Sequence, residues 1–441
     1  MLSLTNIIDK YKIIFIQILF GLIPLSFVIG NLAININILL IILISIFLLK
    51  EKLFKIKFSI PDKLLLLLFF YIFLIYFINA INIKFFLSDE IEHFDNANIY
   101  LFLKTIFFFR FFIFYLTVKQ LIKYNYLNFK FFFTACTLIC VFVSLDIFIQ
   151  FYFGADIFGI KPYNTLKFSG PFGEELIAGG FLQRFIGFSI YLILLFFPYK
   201  YKYFLLSIII FISFLGTLIS GNRIPFIFFL LLLFLISLIE IKNKKKLIYS
   251  LLICLILGTT LIWKTAFLRE TYNSLFIQIN QISNFLISPN HQKKQRPPYL
   301  EEFETFYDTW KLNPTFGGGI KSFRIYCPIR KNIDKYERST CNTHPHNYYL
   351  EMLSEFGLVG IILIFFLLFL IIKNSFFYLK KNDINSKLIT LFLLLLFLEM
   401  FPLKSTGSFS TTGNATYIFL LISFIIGLIE KSNKRYKTIK T

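Results

Sequence analysis

Long apolar runs constrain this chain more than any other feature. Stretches of about 20 residues with few or no charges recur through its 441 residues, and a helix needs ~20 mostly apolar residues to cross ~30 Å of hydrocarbon. Only a helix or a closed barrel satisfies its own backbone in lipid, and these runs are continuous rather than alternating. The sequence therefore predicts an all-α, polytopic membrane protein with about 12 transmembrane helices. They are expected near 13–30, 31–49, 64–83, 99–118, 131–152, 179–198, 204–220, 224–240, 247–264, 347–372, 388–403 and 414–430. Composition agrees: 57% of residues are apolar and 16% charged, against about 45–50% and about 25% in soluble domains. The first run lacks a small-x-small cleavage site, so a retained helix is expected rather than a signal peptide.

The net charge of +21 reads as topology. Cytoplasmic loops collect Lys and Arg. With the N-terminus inside, Lys50, Lys52, Lys55 and Lys57, then Lys242 to Lys246, then Lys431 to Lys440, fall on one side, while Asp89, Glu90, Glu92 and Asp95 fall on the other. The alternation predicts both termini in the cytoplasm and removes the reason to invoke nucleic acid as a partner. The expected organisation is 1–264, helices 1–9; 265–345, a large periplasmic loop; 346–430, helices 10–12; and 431–441, a cytoplasmic tail.

The loop at 265–345 is polar but rich in aromatics, including Tyr299, Phe306, Trp310 and Phe323. That content predicts a small packed cap with short helices. Cys327 and Cys341 lie in it, and on an oxidising face a close pair of this kind is expected to form a disulfide.

Charges at the ends of spans are costly and tend to mark function. Arg184, Arg223, His344 and His346 come from distant parts of the chain and fall at one predicted depth on the outer face, with Asp146 and Glu399. Paired guanidiniums suit a diphosphate, because each makes bidentate, charge-assisted bonds and stays charged. A histidine can accept a proton from an attacking hydroxyl. No Asp-x-Asp pair or His/Cys cluster has metal-ligand spacing, so neither a metal nor another cofactor is expected. Plainer roles stay open: an ion pair for Arg184, and a helix start at Pro345 and His346.

At 344–360 the chain reads His344-Pro345-His346-Asn347, nine further residues, Gly357, two residues, Gly360. This resembles the signature of the O-antigen ligase/polymerase superfamily. Ser220-Gly221-Asn222-Arg223, the Gly317-Gly318-Gly319-Ile320-Lys321-Ser322-Phe323 loop and the Ser169-Gly170-Pro171-Phe172-Gly173 to Gly179 segment resemble further stretches of the same family. The resemblance implies a GT-C-like glycosyltransferase of the bacterial inner membrane acting on its periplasmic face. Its donor would be a lipid-linked oligosaccharide on undecaprenyl pyrophosphate, and its acceptor the lipid A core or a lipid-linked repeat unit, in surface polysaccharide biosynthesis. His346 would be the general base, and Arg223 and Arg184 would hold the pyrophosphate. His344, Asn347 and Glu351 would bind acceptor or orient the site, Glu351 within reach of Asn347 along one helix face. Gly357 and Gly360 would let a neighbour approach closely. Ligase and polymerase share donor and base and differ in acceptor. A lipid-linked sugar transporter is the competing class, though such proteins place their sites near the midplane.

Overall fold

The computed structural model describes residues 2–53, 55–86, 97–163, 166–240, 256, 258–287, 298–330, 341, 346–379, 381–404 and 407–440. Among them the regular structure is helical and no strand occurs. The helices are α1 (Leu2–Gly21), α2 (Ile23–Ile29), α3 (Asn31–Leu49), α4 (Ile60–Phe86), α5 (Ala97–Lys123), α6 (Phe129–Phe153), α7 (Ala178–Phe196), α8 (Tyr199–Ile219) and α9 (Arg223–Glu240). They continue as α10 (Ala266–Ile287), α11 (Pro298–Trp310), α12 (Phe323–Tyr326), α13 (Tyr348–Leu379), α14 (Ile384–Glu399) and α15 (Thr412–Lys440).

Nine of the described helices are long and apolar enough to cross a membrane, and the bent pair α1–α2 makes a tenth. That pair occupies the apolar run expected at 13–30. It turns by 43°, with Pro24 placed at the start of α2, where a missing N–H does no harm. The span expected at 247–264 lies largely outside the described residues, of which 258–264 are helical. The chain is a multi-pass helical membrane protein.

Packing divides the chain into two interleaved units, Met1–Leu48 with Tyr124–Ser283 and Asn382–Glu399, and Leu49–Lys123 with Asn284–Lys381 and Met400–Thr441. In the first, α6, α7 and α14 share buried rings: Phe188 lies 5.5 Å from Phe133 and 6.1 Å from Phe392. A Cβ on Gly187 would sit 2.9 Å from Leu395, and one on Gly216 would sit 2.8 Å from Ser144. These are the close approaches that small residues allow between membrane helices.

In the second unit, Phe69, Phe108 and Phe111 of α4 and α5 pack on Phe419 of α15. One end of these helices carries a buried ion network. Lys119 Nζ lies 2.6 Å from Asp62 and 3.1 Å from Glu430, and both Lys119 and Asp62 are fully buried. Asp62 also accepts from Ser59 N at 2.6 Å, closing the first turn of α4, and accepts from the Tyr115 hydroxyl.

Candidate functional site

Helix α13 is interrupted at Gly357, whose φ of 63° and ψ of −170° belong to a region essentially confined to glycine. A break in a membrane helix frees backbone groups that must find partners. Residues 314–319 supply them: Gly318 N donates to Ser354 O at 3.0 Å and Gly319 N to Glu355 O at 2.7 Å, while Leu358 N donates to Pro314 O at 3.0 Å and Val359 N to Thr315 O at 3.2 Å. The fit leaves no room for side chains. A Cβ on Gly317 would lie 2.5 Å from Glu355 backbone, and one on Gly357 would lie 2.4 Å from Thr315 O. From α4, the Tyr71 hydroxyl donates to Phe356 O at 2.8 Å and Asn79 Nδ2 to Gly317 O at 2.9 Å.

The spacing of the two glycines follows from the same break. In a regular helix the Cβ atoms of residues four apart stand about 5–6 Å from each other. Here a Cβ on Gly360 would lie 2.3 Å from that of Phe356 and 3.2 Å from the Tyr71 ring. The neighbour that needs Gly357 is thus loop backbone rather than another helix, while Gly360 accommodates Phe356 and α4.

His346 and Asn347 stand just before α13. His346 is half-buried and has a φ of 51°, a left-handed conformation that L-residues adopt at a cost of roughly 1–2 kcal/mol. Asn347 caps the helix: its Oδ1 accepts from Tyr349 N at 2.9 Å and Leu350 N at 3.3 Å, satisfying donors a helix start leaves open. Its Nδ2 donates to Pro402 O at 2.7 Å. Glu351 is buried, and its side chain bonds not to that of Asn347 but to the segment before α15. It accepts from Ser408 Oγ, from Phe409 N at 2.5 Å and from Ser410 Oγ at 3.2 Å, and Lys321 Nζ lies 3.6 Å away. The residues following His346 therefore pin Pro402 and 408–410 to α13. Cys327 and Cys341 are joined by a disulfide with Cα atoms 5.8 Å apart, and Arg330 Nη1 lies against Cys327 O at 2.9 Å and Cys341 Sγ at 2.8 Å. His344 lies outside the described residues.

In the first unit, the turn before α9 meets the segment before α7. Asn222 Oδ1 accepts from Gly179 N at 3.0 Å, and its Nδ2 donates to Leu176 O at 3.0 Å. Gly221 has a φ of 70°, and a Cβ there would fall 2.2 Å from Leu166 O. Arg223 begins α9 and donates from Nη1 to Ser274 Oγ of α10 at 2.8 Å. Arg184 instead makes a two-pronged pair with Glu399: Nε to Oε2 at 3.1 Å and Nη2 to Oε1 at 2.6 Å. Asp146 accepts from Ile157 N at 2.8 Å.

The four motif-bearing segments thus come together two by two: 220–223 with 176–179, and 314–319 with 354–359. Sequence reasoning gave no site role to Lys167, Tyr272 or Ser274 around Arg223, took Lys321 only as part of the glycine-rich motif, and gave no site role to Ser408 around Glu351. The Ser408-Phe409-Ser410-Thr411-Thr412 run, polar ahead of an apolar span, was a usable signal for the latter. Among the described residues no group of three or more His, Cys, Asp or Glu side chains is arranged to hold a metal.

Residues 208–365 match a family model described as O-antigen ligase. The matched stretch contains Arg223, the disulfide, His346 and both glycines of α13, and it excludes Arg184. No curated protein matches the chain. Over residues 208–365 the chain is similar to the O-antigen ligase family, and this similarity supports the resemblance to the O-antigen ligase/polymerase superfamily.

Proposed function

We propose that the protein is a glycosyltransferase that moves a glycan from a polyprenyl diphosphate to an acceptor hydroxyl, as an O-antigen ligase acting on the lipid A core. It would work on the periplasmic face of the bacterial inner membrane, with both termini cytoplasmic. The observation that carries the reading is His346, the histidine of the family-like motif, held in a left-handed backbone at the head of α13. Strain of this kind clusters at functional sites.

In this reading His346 takes the proton of the acceptor hydroxyl as its oxygen bonds to the anomeric carbon. The bond from that carbon to the phosphate oxygen breaks, and the diphosphate leaves with the electron pair. Direct displacement inverts the anomeric centre. Arg223 stabilises the charge growing on the leaving group, and Arg184 assists to the extent that it can turn from Glu399. The family match supports the ligase reading over a transporter. So does the break at Gly357, whose freed backbone groups are taken up by 314–319 rather than left to coordinate an ion.

The test is transfer by the purified full chain in nanodiscs, given a lipid-diphosphate oligosaccharide, lipid A core and no ion gradient. A general base contributes typically 10²–10⁴-fold and an oxyanion donor about 10²–10³-fold. His346→Ala and Arg223→Ala should each remove detectable product while the protein still elutes as folded. Wild-type rates from both variants would refute the assignment, and product built only on a second lipid-linked unit would make the protein a polymerase.

A further inference from the structure

The turn that carries Arg223 gathers more positive charge than its neighbours neutralise. Leu166 O fills the space a Cβ on Gly221 would take, and Phe168 N donates to Ser220 O at 3.3 Å. Lys167 lies between these two contacts and is therefore fixed against the turn, half-buried. From another side comes α10, where the Ser274 hydroxyl accepts from Arg223 and donates to Thr271 O at 2.7 Å. On the same helix Tyr272 is only 6% exposed, and its hydroxyl has no hydrogen-bond partner among the described residues.

Among the described residues no carboxylate answers the two cations. Among the described residues neither Lys167 nor Arg223 forms an ion pair, and the nearby Glu174 and Glu175 are exposed and pair with neither. Lys167 flanks the Gly221 turn that precedes Arg223, and the Tyr272 ring lies 5.8 Å from that of Phe226, about one turn along α9 from Arg223. Burial, and after it the Arg223 charge, hold the Lys167 ammonium below its ordinary range. Burial pushes the Tyr272 phenol up, and Arg223 pulls it partly back. Buried polar groups ordinarily have partners, and like charges gather where an anion is to be held.

We infer that Lys167 is a second cationic ligand of the lipid diphosphate beside Arg223, with the Tyr272 hydroxyl donating to the same anion. The inference rests on the assignment of Arg223 to the diphosphate. Lysine suits this place as a compact point charge with three donors on a flexible stem, able to follow the outer phosphate as the sugar leaves, whereas a planar fork fixes one geometry.

The experiment measures binding of geranylgeranyl diphosphate and geranylgeranyl monophosphate to the full chain in nanodiscs. Wild type is compared with Lys167→Met, Lys167→Arg, Tyr272→Phe and Arg223→Ala. A lost charge-assisted bond corresponds to about tenfold or more in affinity. Lys167→Met should weaken diphosphate binding by about that factor and monophosphate binding by less, Lys167→Arg should recover most of it, and Tyr272→Phe should lose a few-fold. If Lys167→Met does not fold, Lys167→Gln takes its place under the same expectation. Wild-type diphosphate affinity in the folded Lys167 variant, alongside a weak Arg223→Ala, overturns the role of Lys167 and leaves Arg223 standing. Wild-type affinity in Arg223→Ala as well overturns both.

Discussion

Replacing Gly357 by alanine tests the pairing of α13 with residues 314–319 directly. An added Cβ would lie 2.4 Å from Thr315 O, 2.5 Å from Gly317 N and 2.6 Å from Phe316 C. All three are backbone atoms, so no side chain can swing aside. If the loop held its place, the positive φ alone would cost roughly 1–2 kcal/mol. If it moved, the four backbone bonds of 314–319 to the break would go, at about 0.5–1.5 kcal/mol each. The expected loss thus runs from about 1 to about 6 kcal/mol. Gly180→Ala is the matched control: it is inside α7, and the nearest atom to an added Cβ is Pro225 Cγ at 4.0 Å, so it should be neutral or stabilise by up to about 1 kcal/mol. The assay is the thermal midpoint of detergent-purified protein, read with hydrogen exchange over 311–321. Gly357→Ala should melt several degrees lower and expose the Gly318 and Gly319 amides. A midpoint and exchange pattern equal to those of Gly180→Ala would refute the pairing.

Glu351→Ala should loosen 408–410 from α13, removing one charged acceptor worth about 1.5–3 kcal/mol per bond. Glu351→Gln, which keeps one carbonyl, should lose less, and both should slow transfer without abolishing it in the nanodisc assay. Opening the disulfide by Cys327→Ser should raise the free-thiol count by one, at Cys341. It should lower the thermal midpoint, with a stability loss set by the 14-residue separation of at most about 3 kcal/mol on the chain-entropy account; a thiol count that falls by one instead would show the pair unbridged.

The helices were legible because lipid leaves a chain few choices: an apolar run of sufficient length must be a helix, and its boundaries follow from where charge begins. The bend in the first run was not legible, since Pro24 is tolerated at a helix start and the break falls at Leu22. Charges near span ends were legible as a class and not as individuals. Asp62 and Lys119 fall just outside the spans expected at 64–83 and 99–118, and Glu430 at the last position of 414–430, yet all three sit inside helices and Lys119 pairs with both acids, because charges carried in from separate helices can neutralise each other only after those helices pack. Arg184 and Arg223 looked alike in sequence. Glu399 separates them by engaging one and not the other, and its position 215 residues from Arg184 left no local trace. The motif glycines were readable as places of close approach, but the approaching group, the backbone of 314–319, could be named only once α13 was seen to break.

The pairing of Arg184 with Glu399 bears on how the chain enters the membrane. Synthesis runs from the N-terminus at about 5–20 residues per second, so α7 is made roughly 10–40 s before the carboxylate that it needs. During that interval a guanidinium near the start of an otherwise apolar helix has no Glu399 to answer it, and must reach toward headgroups or water. Helix α14 delivers the counter-charge late, after 284–381 of the other unit have been made. Biogenesis of the first unit is thus completed by its last segment, and truncation before residue 399 should leave a product that inserts but does not mature.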